Sequence, residues 1–423
     1  MRFAAAGPRV QPKVTRRSAR WVWRSIAVAV AASAALDGVA EWQIRRRRDD
    51  WARESAKDRI RAASYRRPIT YGEPLDQNAA DWYRKALAPV REPSPKTLEQ
   101  LRELLDSGPG QNASMAFDID AVCPTAEAIA HVSQALRCNY CDWHLDYEMG
   151  PSALFEPGSR AVALADCLTL RGYRAASAGS YGSAAESYLE VVAFGCDFGA
   201  GNLVMNGVAI TVTKEALTAL RRLLTTIEYD PILFADVAER LTKLQSCLPT
   251  GQNAVHLDRL QATHALIADA LTSATWRERV LNPSFVPWRV VAAWRLTQDL
   301  SLVNDVADSA AIRDPGERAH FVNGLQRRSR TSNLFAKEVV KADWLGVIDA
   351  ANELARDSHA ALAVIDIEQW YQRYGRYPDG RAEVPALLTE DRVRYECNRD
   401  GRGYSLLGTS AAGTPQSLAH HSR

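Results

Sequence analysis

A run of twenty mostly apolar residues, 21–40, constrains this chain more than any other feature. Twenty helical residues span about 30 Å, which is the thickness of the hydrocarbon core of a bilayer. The two charges in the run, Arg24 and Asp37, each lie about one turn from an end, where a side chain reaches the interface. Tryptophans mark both edges, as interfacial aromatic residues do: Trp21, Trp23 and Trp42. The sequence therefore predicts a single-pass transmembrane anchor over residues 21–44.

Two other interpretations of this run stay open. The uncharged stretch from Ser25 to Leu36 is short, and Ala32-Ser33-Ala34 resembles a small-residue cleavage site, which a cleaved signal peptide would have. A buried helix of a soluble protein is the other interpretation, although the four arginines at 45–48 suit a membrane surface better. Lys and Arg are abundant on both flanks of the run. A short basic tail, residues 1–20, nevertheless favours a signal anchor with an extracytoplasmic body.

The composition limits the class of protein but not its activity. The chain has 423 residues, 47% hydrophobic and 24% charged, which is typical of a globular protein with two or three domains. Its formal net charge of +2 gives no overall attraction to nucleic acid, so no nucleic-acid partner is expected. Seven cysteines are an odd number, so at least one thiol is unpaired within a monomer.

The rest of the chain reads as mainly α. Residues 45–110 indicate juxtamembrane helices and a linker, which Gly108-Pro109-Gly110 ends. A helical body over 111–357 follows, almost wholly helical from 124 to 355. Within it, Asp230-Pro231 combines a cap with a proline at the first helical position. Apolar residues then recur at near-helical spacing: Ile232, Val237, Leu241 and Leu244. Such helices joined by short turns predict a helical bundle or tetratricopeptide-like helical hairpins.

One stretch, Ala165 to Cys196, resembles a tetratricopeptide-type helical hairpin. The residues that carry this resemblance fall near the spacings of such repeats: Gly172, Gly179, Tyr181, Ala184 and Tyr188. Arg171 stands where such a repeat has leucine or tryptophan, and no second good copy is present. Any tightly packed helical hairpin explains the pattern equally well.

The last part of the chain changes character. Residues 358–408 predict a helix followed by a β-hairpin with strands Val393–Cys397 and Tyr404–Leu407, because Asp400-Gly401 between them is a hairpin turn signal. Residues 409–423 are small and polar, and we expect a disordered tail there.

Two resemblances to known proteins rest on these residues. The stretch Ala360 to Gly408 resembles the C-terminal part of type II secretion pseudopilins, through a helix followed by Tyr371, Gly375, Tyr377-Pro378, Ser405 and Gly408. The pseudopilin methylation signal and long continuous apolar helix are absent, which argues against assembly into a pilus.

The chain also resembles an uncharacterised group of bacterial membrane-anchored helical proteins. The residues concerned are Cys141-Asp142-Trp143, Gly150-Pro151, the helical hairpin from Ala165 to Cys196, and the helix after Asn206-Gly207. That resemblance implies an architecture and no activity.

The spacing C-x2-C-x2-H of Cys138, Cys141 and His144 is the one motif with metal-binding chemistry. On a helix these three side chains would share one face, as in a zinc site, but a second ligand pair is missing. Outside the cytoplasm a disulfide is the simpler interpretation, and inert core thiols are a third. Four cysteines are candidates for the disulfide: Cys123, Cys138, Cys141 and Cys167. We expect Cys138 or Cys141 to lie within disulfide reach of another sulfur.

No other pattern carries chemistry. Residues 178–182 imitate a nucleophile elbow, but a helix precedes them where such an elbow needs a strand. The sequence thus predicts no cofactor, and it leaves any catalytic residue unknown. It favours a membrane-tethered helical binding or scaffolding protein with a protein partner. The alternatives are an extracytoplasmic metal-dependent enzyme using the Cys138–His144 region, and an accessory subunit of a secretion or envelope machine.

Overall fold

The computed structural model describes residues 16–64, 66–68, 71–90, 126–146, 148, 158–272, 288–309, 312, 315–329, 344–380, 383, 393–398, 403–409 and 415–422. This part of the chain has eleven helices and five short strands, so the predicted mainly α fold is confirmed. The helices are α1 Arg16–Ser64, α2 Ala79–Leu87, α3 Ala126–Arg137, α4 Gly158–Ser177, α5 Tyr181–Phe198, α6 Leu203–Thr226, α7 Pro231–Gln245, α8 Gln252–Thr272, α9 Trp288–Ser309, α10 Pro315–Arg328 and α11 Trp344–Tyr374. The strands are β1 Leu75–Asn78, β2 Cys138–Tyr140, β3 Val393–Cys397, β4 Gly403–Thr409 and β5 Pro415–Ser422.

The first helix, α1, is continuous over 49 residues and has two different halves. In the first half, the described apolar side chains from 27 to 39 are exposed, among them Val28, Val30 and Leu36. Burial begins at Ala40, so the exposed stretch ends before the predicted limit of residue 44. Five positions of the second half then face inward: Ala40, Ile44, Trp51, Ser55 and Asp58. The apolar run is therefore part of one unbroken helix, and its described side chains from 27 to 39 are not covered by the body.

The inward side of α1 packs on α8 and α9, and we call these three helices the α1 layer. Its apolar contacts include Leu257 and Leu260 of α8 with Leu296, Leu300 and Val303 of α9. The Trp51 indole Nε1 donates a hydrogen bond to the Leu260 carbonyl at 2.8 Å. Shape and hydrogen bonding thus fix the second half of α1 to the body.

A larger central core lies around α4, α5, α6, α7 and α11. Its helices approach closely at small residues. A Cβ on Gly172 would lie 2.3 Å from Tyr188 Cε1, and one on Gly195 would lie 1.9 Å from Thr213 Oγ1. Gly179 ends α4 with φ of +74°, a conformation that suits glycine. The helical hairpin expected from Ala165 to Cys196 is therefore present as α4 and α5.

Of the residues that the structure describes, only α6 is long and apolar enough to cross a membrane. It is an internal helix, and most of its apolar stretch is buried between α5, α11 and α4. A central helix of a soluble body meets the same criterion, because it is apolar on every side. The anchor predicted at 21–44 lies partly outside the described side chains.

Between residues 126 and 355, the described chain is helical apart from β2, the loop after it and short connections. The exception is a two-stranded parallel sheet, in which Leu75 pairs with Cys138 and Asn78 with Tyr140. The predicted start of α7 is confirmed: the Asp230 carboxylate accepts hydrogen bonds from the N–H groups of Ile232 and Leu233 at 2.9 and 3.3 Å.

At the C-terminus, β3, β4 and β5 form an antiparallel sheet in that order. The predicted hairpin is present, with Tyr404 opposite Cys397. The prediction of disorder for residues 409–423 is wrong for Pro415–Ser422, which forms β5. Its side chains at 418 and 419 are buried, and His421 lies beside the rings of Tyr377 and Tyr404. The predicted boundary between residues 357 and 358 falls inside α11, which is continuous.

Candidate functional site

The structure separates the three residues of the predicted metal motif. Cys138 begins β2 and Cys141 follows that strand, so neither lies on a helix as the motif assumed. Both thiols are buried, whereas the His144 side chain is 63% exposed. The described residues contain no group of three or more His, Cys, Asp or Glu side chains that could hold a metal.

The predicted disulfide is also wrong for the described cysteines. Cys138, Cys141 and Cys167 carry thiols and form no disulfide; Cys123 lies outside the described residues. Residues three apart in an extended chain are separated by about 10 Å, beyond the reach of a disulfide. The Cys138 Sγ instead donates to the Gln134 carbonyl at 3.3 Å. Burial raises the pKa of Cys138, and it raises the pKa of Cys141 to about 12. Thiols that stay protonated are poor metal ligands and nucleophiles.

Asn78 and Asp142 hold the loop that carries His144. The Asn78 amide donates to the Asp142 carbonyl at 2.8 Å and accepts from the Asp142 N–H at 2.8 Å. The Asp142 carboxylate accepts from the His144 N–H at 2.8 Å and lies 3.1 Å from its Nδ1. His144 has φ of +50°, which these contacts stabilise. The arrangement positions the loop rather than gathering ligands.

Beneath this loop lies a buried polar network that sequence reasoning missed. Arg67 forms a buried ion pair with Asp197, with 2.8 Å from Nε to Oδ1. Its guanidinium also donates to the carbonyls of Ala135 and Cys138 at 2.7 and 2.9 Å. The Tyr83 hydroxyl donates to Asp197 Oδ2 at 2.6 Å. Each charged atom therefore has partners, so the network is structural.

A groove lies between α1 and α9 next to the exposed half of α1, and we call it the α1–α9 groove. The part nearer the exposed half of α1, which we call the upper part, has a volume of about 460 Å³. It is lined by Trp42, Gln43, Ile44, Arg46, Arg47, Asp50, Ala293, Leu296 and Thr297. The lower part of the groove, of about 340 Å³, shares Arg47, Asp50 and Thr297 and continues toward Glu54 and Asp305. Residue numbers rise together on both helices, so α1 and α9 run parallel here.

Charge is distributed unevenly along the groove. In the lower part, acids and bases are matched: Glu54 pairs with Arg259, and Asp305 pairs with Arg328 at 2.7 Å. In the upper part, the Arg46 guanidinium lies 5.5 Å from the Trp42 ring. Within the described chain, no carboxylate lies within ion-pair distance of Arg46 or Arg47. Asp50 also lines the upper part, but its carboxylate pairs with Arg53. The upper end therefore presents a net positive charge from Arg46 and Arg47.

The fold brings together one pair of cysteines that spacing could not reveal. The thiols of Cys196 and Cys247 both donate to the Leu244 carbonyl, at 3.7 and 3.1 Å. The neighbouring Cys247 thiol, together with burial, raises the pKa of Cys196. The two residues are 51 positions apart, and only the packing of α5 against the end of α7 joins them.

No protein-family model matches the chain, and neither a curated protein nor a solved structure is found to be similar to it.

Proposed function

We propose that this chain is a single-pass membrane-tethered helical protein that acts by binding or scaffolding, with its body outside the cytoplasm. The observation that carries the proposal is the division of α1. Its first half exposes Val28, Val30, Leu36 and Val39, each more than half exposed. A continuous apolar helix surface in water is unfavourable, at roughly 25 cal/mol per Å². A bilayer removes that cost.

The second half of α1 supports a tether that is rigidly joined to the body. Because Ile44 and Trp51 are buried against α8 and α9, no flexible linker separates the apolar half from the folded part. Orientation of the anchor therefore sets the orientation of the body. A rigid body held near a membrane surface suits presentation or binding more than free diffusion does.

The enzyme alternative has less support. The candidate ligands of that enzyme do not lie together: Cys138 and Cys141 are buried thiols, whereas the His144 side chain faces solvent. The accessory-subunit alternative has one favourable observation, a long helix, α11, followed by a small antiparallel sheet. Purification of the full-length protein from its native membranes, with identification of proteins retained at stoichiometric amounts, tests that alternative. Recovery of the chain alone would count against it.

The substitution Val30→Arg tests the anchor. A charge at the centre of a membrane-spanning helix costs about 3 kcal/mol, whereas Arg on a solvent-exposed helix costs little. We expect the wild-type chain to resist carbonate extraction and Val30→Arg to reduce its membrane fraction. Ile60→Arg is the matched control, because Ile60 is 69% exposed on the same helix, in the half that packs on α8 and α9.

The control variant should partition like the wild type. A wild-type chain that is recovered in the soluble fraction, or equal partitioning of Val30→Arg and Ile60→Arg, would show that the first half of α1 is not an anchor.

A further inference from the structure

The upper end of the α1–α9 groove combines two arginines of α1 with a partly apolar face of α9. Arg46 and Arg47 line it from α1, and Ala293, Leu296 and Thr297 line it from α9. A guanidinium forms paired hydrogen bonds with phosphate oxygens, which makes arginine the residue of choice for such anions. Lower in the groove, Glu54 and Asp305 are matched by Arg259 and Arg328, so Arg46 and Arg47 carry the preference for an anion.

The height of the arginines along α1 agrees with the level of lipid headgroups. With a rise of 1.5 Å per residue, Arg46 lies about 9 Å beyond Ala40, where the exposed apolar half ends. Headgroups occupy the layer of roughly 5–7 Å outside the hydrocarbon core. An arginine side chain reaches that distance back toward the phosphates.

Two exposed tryptophans mark the same level. Trp42 on α1 is 58% exposed, and Trp294 on α9 is 59% exposed. Because Trp42 and Ala293 line the same cavity, Trp294 stands one residue from that level on the parallel helix. Tryptophan concentrates at membrane interfaces, since its ring is apolar and its N–H is polar. The upper end of the groove therefore opens where two helices meet the interface.

We propose that the upper end of the α1–α9 groove binds the phosphodiester headgroup of an anionic phospholipid, with Arg46 and Arg47 contacting the phosphate. This inference rests on the proposed membrane tether. The neighbouring arginines differ in position: Arg45 pairs with Glu41 at 2.6 Å, and Arg48 does not line the groove. Only two of the four consecutive arginines thus belong to the site.

The experiment measures lipid retained by the full-length protein in detergent. Phosphatidylglycerol or phosphatidylcholine is added, and native mass spectrometry counts the bound lipids. We expect preferential retention of phosphatidylglycerol, and about tenfold weaker retention by the double variant Arg46→Gln/Arg47→Gln. The matched control, Arg45→Gln/Arg48→Gln, removes the same charge from the same helical turns outside the groove and should change retention less than about twofold.

Several outcomes would overturn the site. Equal losses in the two double variants would show diffuse surface charge instead of a groove. Equal retention of the two lipids would exclude recognition of the headgroup charge. Displacement of phosphatidylglycerol by excess inorganic phosphate would indicate a site for a free anion. Carbonate extraction is run in parallel, so a membrane-bound wild type without lipid preference refutes this inference alone. A soluble wild type refutes the tether.

Discussion

The central core and the α1 layer are built from the same kind of amphipathic helix, yet they differ in what they enclose. The central core buries aromatic side chains from several helices and pairs its internal charges, as Arg67 does with Asp197. The α1 layer is one long helix on two others, with a charged groove along its side. The central core packs its helices against one another. The α1 layer uses the second half of α1 for packing and leaves the described side chains from 27 to 39 exposed, apart from the half-buried Asp37.

The difference shows how one helix can be both anchor and part of a domain. Burial along the second half of α1 follows an approximately seven-residue rhythm, which keeps one stripe against α8 and α9. From residue 27 to 39 the described side chains show no such stripe, because nearly all of them are exposed. The start of the buried stripe at Ala40 therefore marks where the packing of α1 on the body begins.

The largest expected effect tests the central core. Asp197→Ala leaves the buried Arg67 guanidinium without its carboxylate, and we expect the free energy of unfolding to fall by about 3–5 kcal/mol. The control is Glu239→Ala, which removes an exposed ion pair with Lys243 and should cost below about 1 kcal/mol. Urea unfolding of the full-length protein in mild detergent, followed by near-ultraviolet circular dichroism, measures both. Similar losses in the two variants would show that the network does not stabilise the core.

The sequence predicted the parts of this fold that depend on local chemistry. The Asp230-Pro231 start of α7 needed only cap geometry, and the α4–α5 hairpin needed small residues and a glycine at its turn. The buried ion pair of Arg67, by contrast, was not predicted from the sequence. Its partner Asp197 lies 130 residues away, and a contact over that separation cannot be predicted from a local sequence pattern.

The predicted site failed for a similar reason. The C-x2-C-x2-H spacing has one geometry on a helix and another on a strand, and β2 exists only because β1 pairs with it. The tail was expected to be disordered because it is polar, but β4 supplies hydrogen bonds to it along its length. In both cases a partner distant in sequence decided the local structure.

A smaller and more local effect is expected from Trp51→Ala in the α1 layer. The indole is buried and bonded to the Leu260 carbonyl, so its loss should cost about 3 kcal/mol. The cost should appear as faster hydrogen exchange in α8 and α9, with exchange in α5 and α6 unchanged. A matched exposed change, Trp42→Ala, should leave exchange in α8 and α9 as in the wild type. Equal acceleration in α5 would show that the two regions unfold together.

The smallest effect concerns Asp258, which joins the two regions. Asp258 lies on α8, and its carboxylate accepts a hydrogen bond from the Leu203 N–H at the start of α6, at 3.1 Å. Burial raises the pKa of Asp258 to about 6, although the hydrogen bond from Leu203 opposes that rise. Because the folded pKa exceeds the unfolded one, the folded state favours the protonated acid. Its contribution to stability is therefore greatest below about pH 4, falls as the pH rises toward 6, and is constant above.

Asp258→Asn keeps an acceptor for the Leu203 N–H and removes the charge, so it separates these two roles. We expect the variant to be more stable than the wild type by about 1 kcal/mol at pH 7 and nearly equal to it at pH 4. Asp236→Asn, on an exposed face of α7, is the control and should differ from the wild type by less than about 0.5 kcal/mol. Urea midpoints between pH 4 and pH 7 provide the comparison. A stability difference that does not change with pH would mean that Asp258 joins α6 to α8 through its hydrogen bond alone, without the cost of a buried charge.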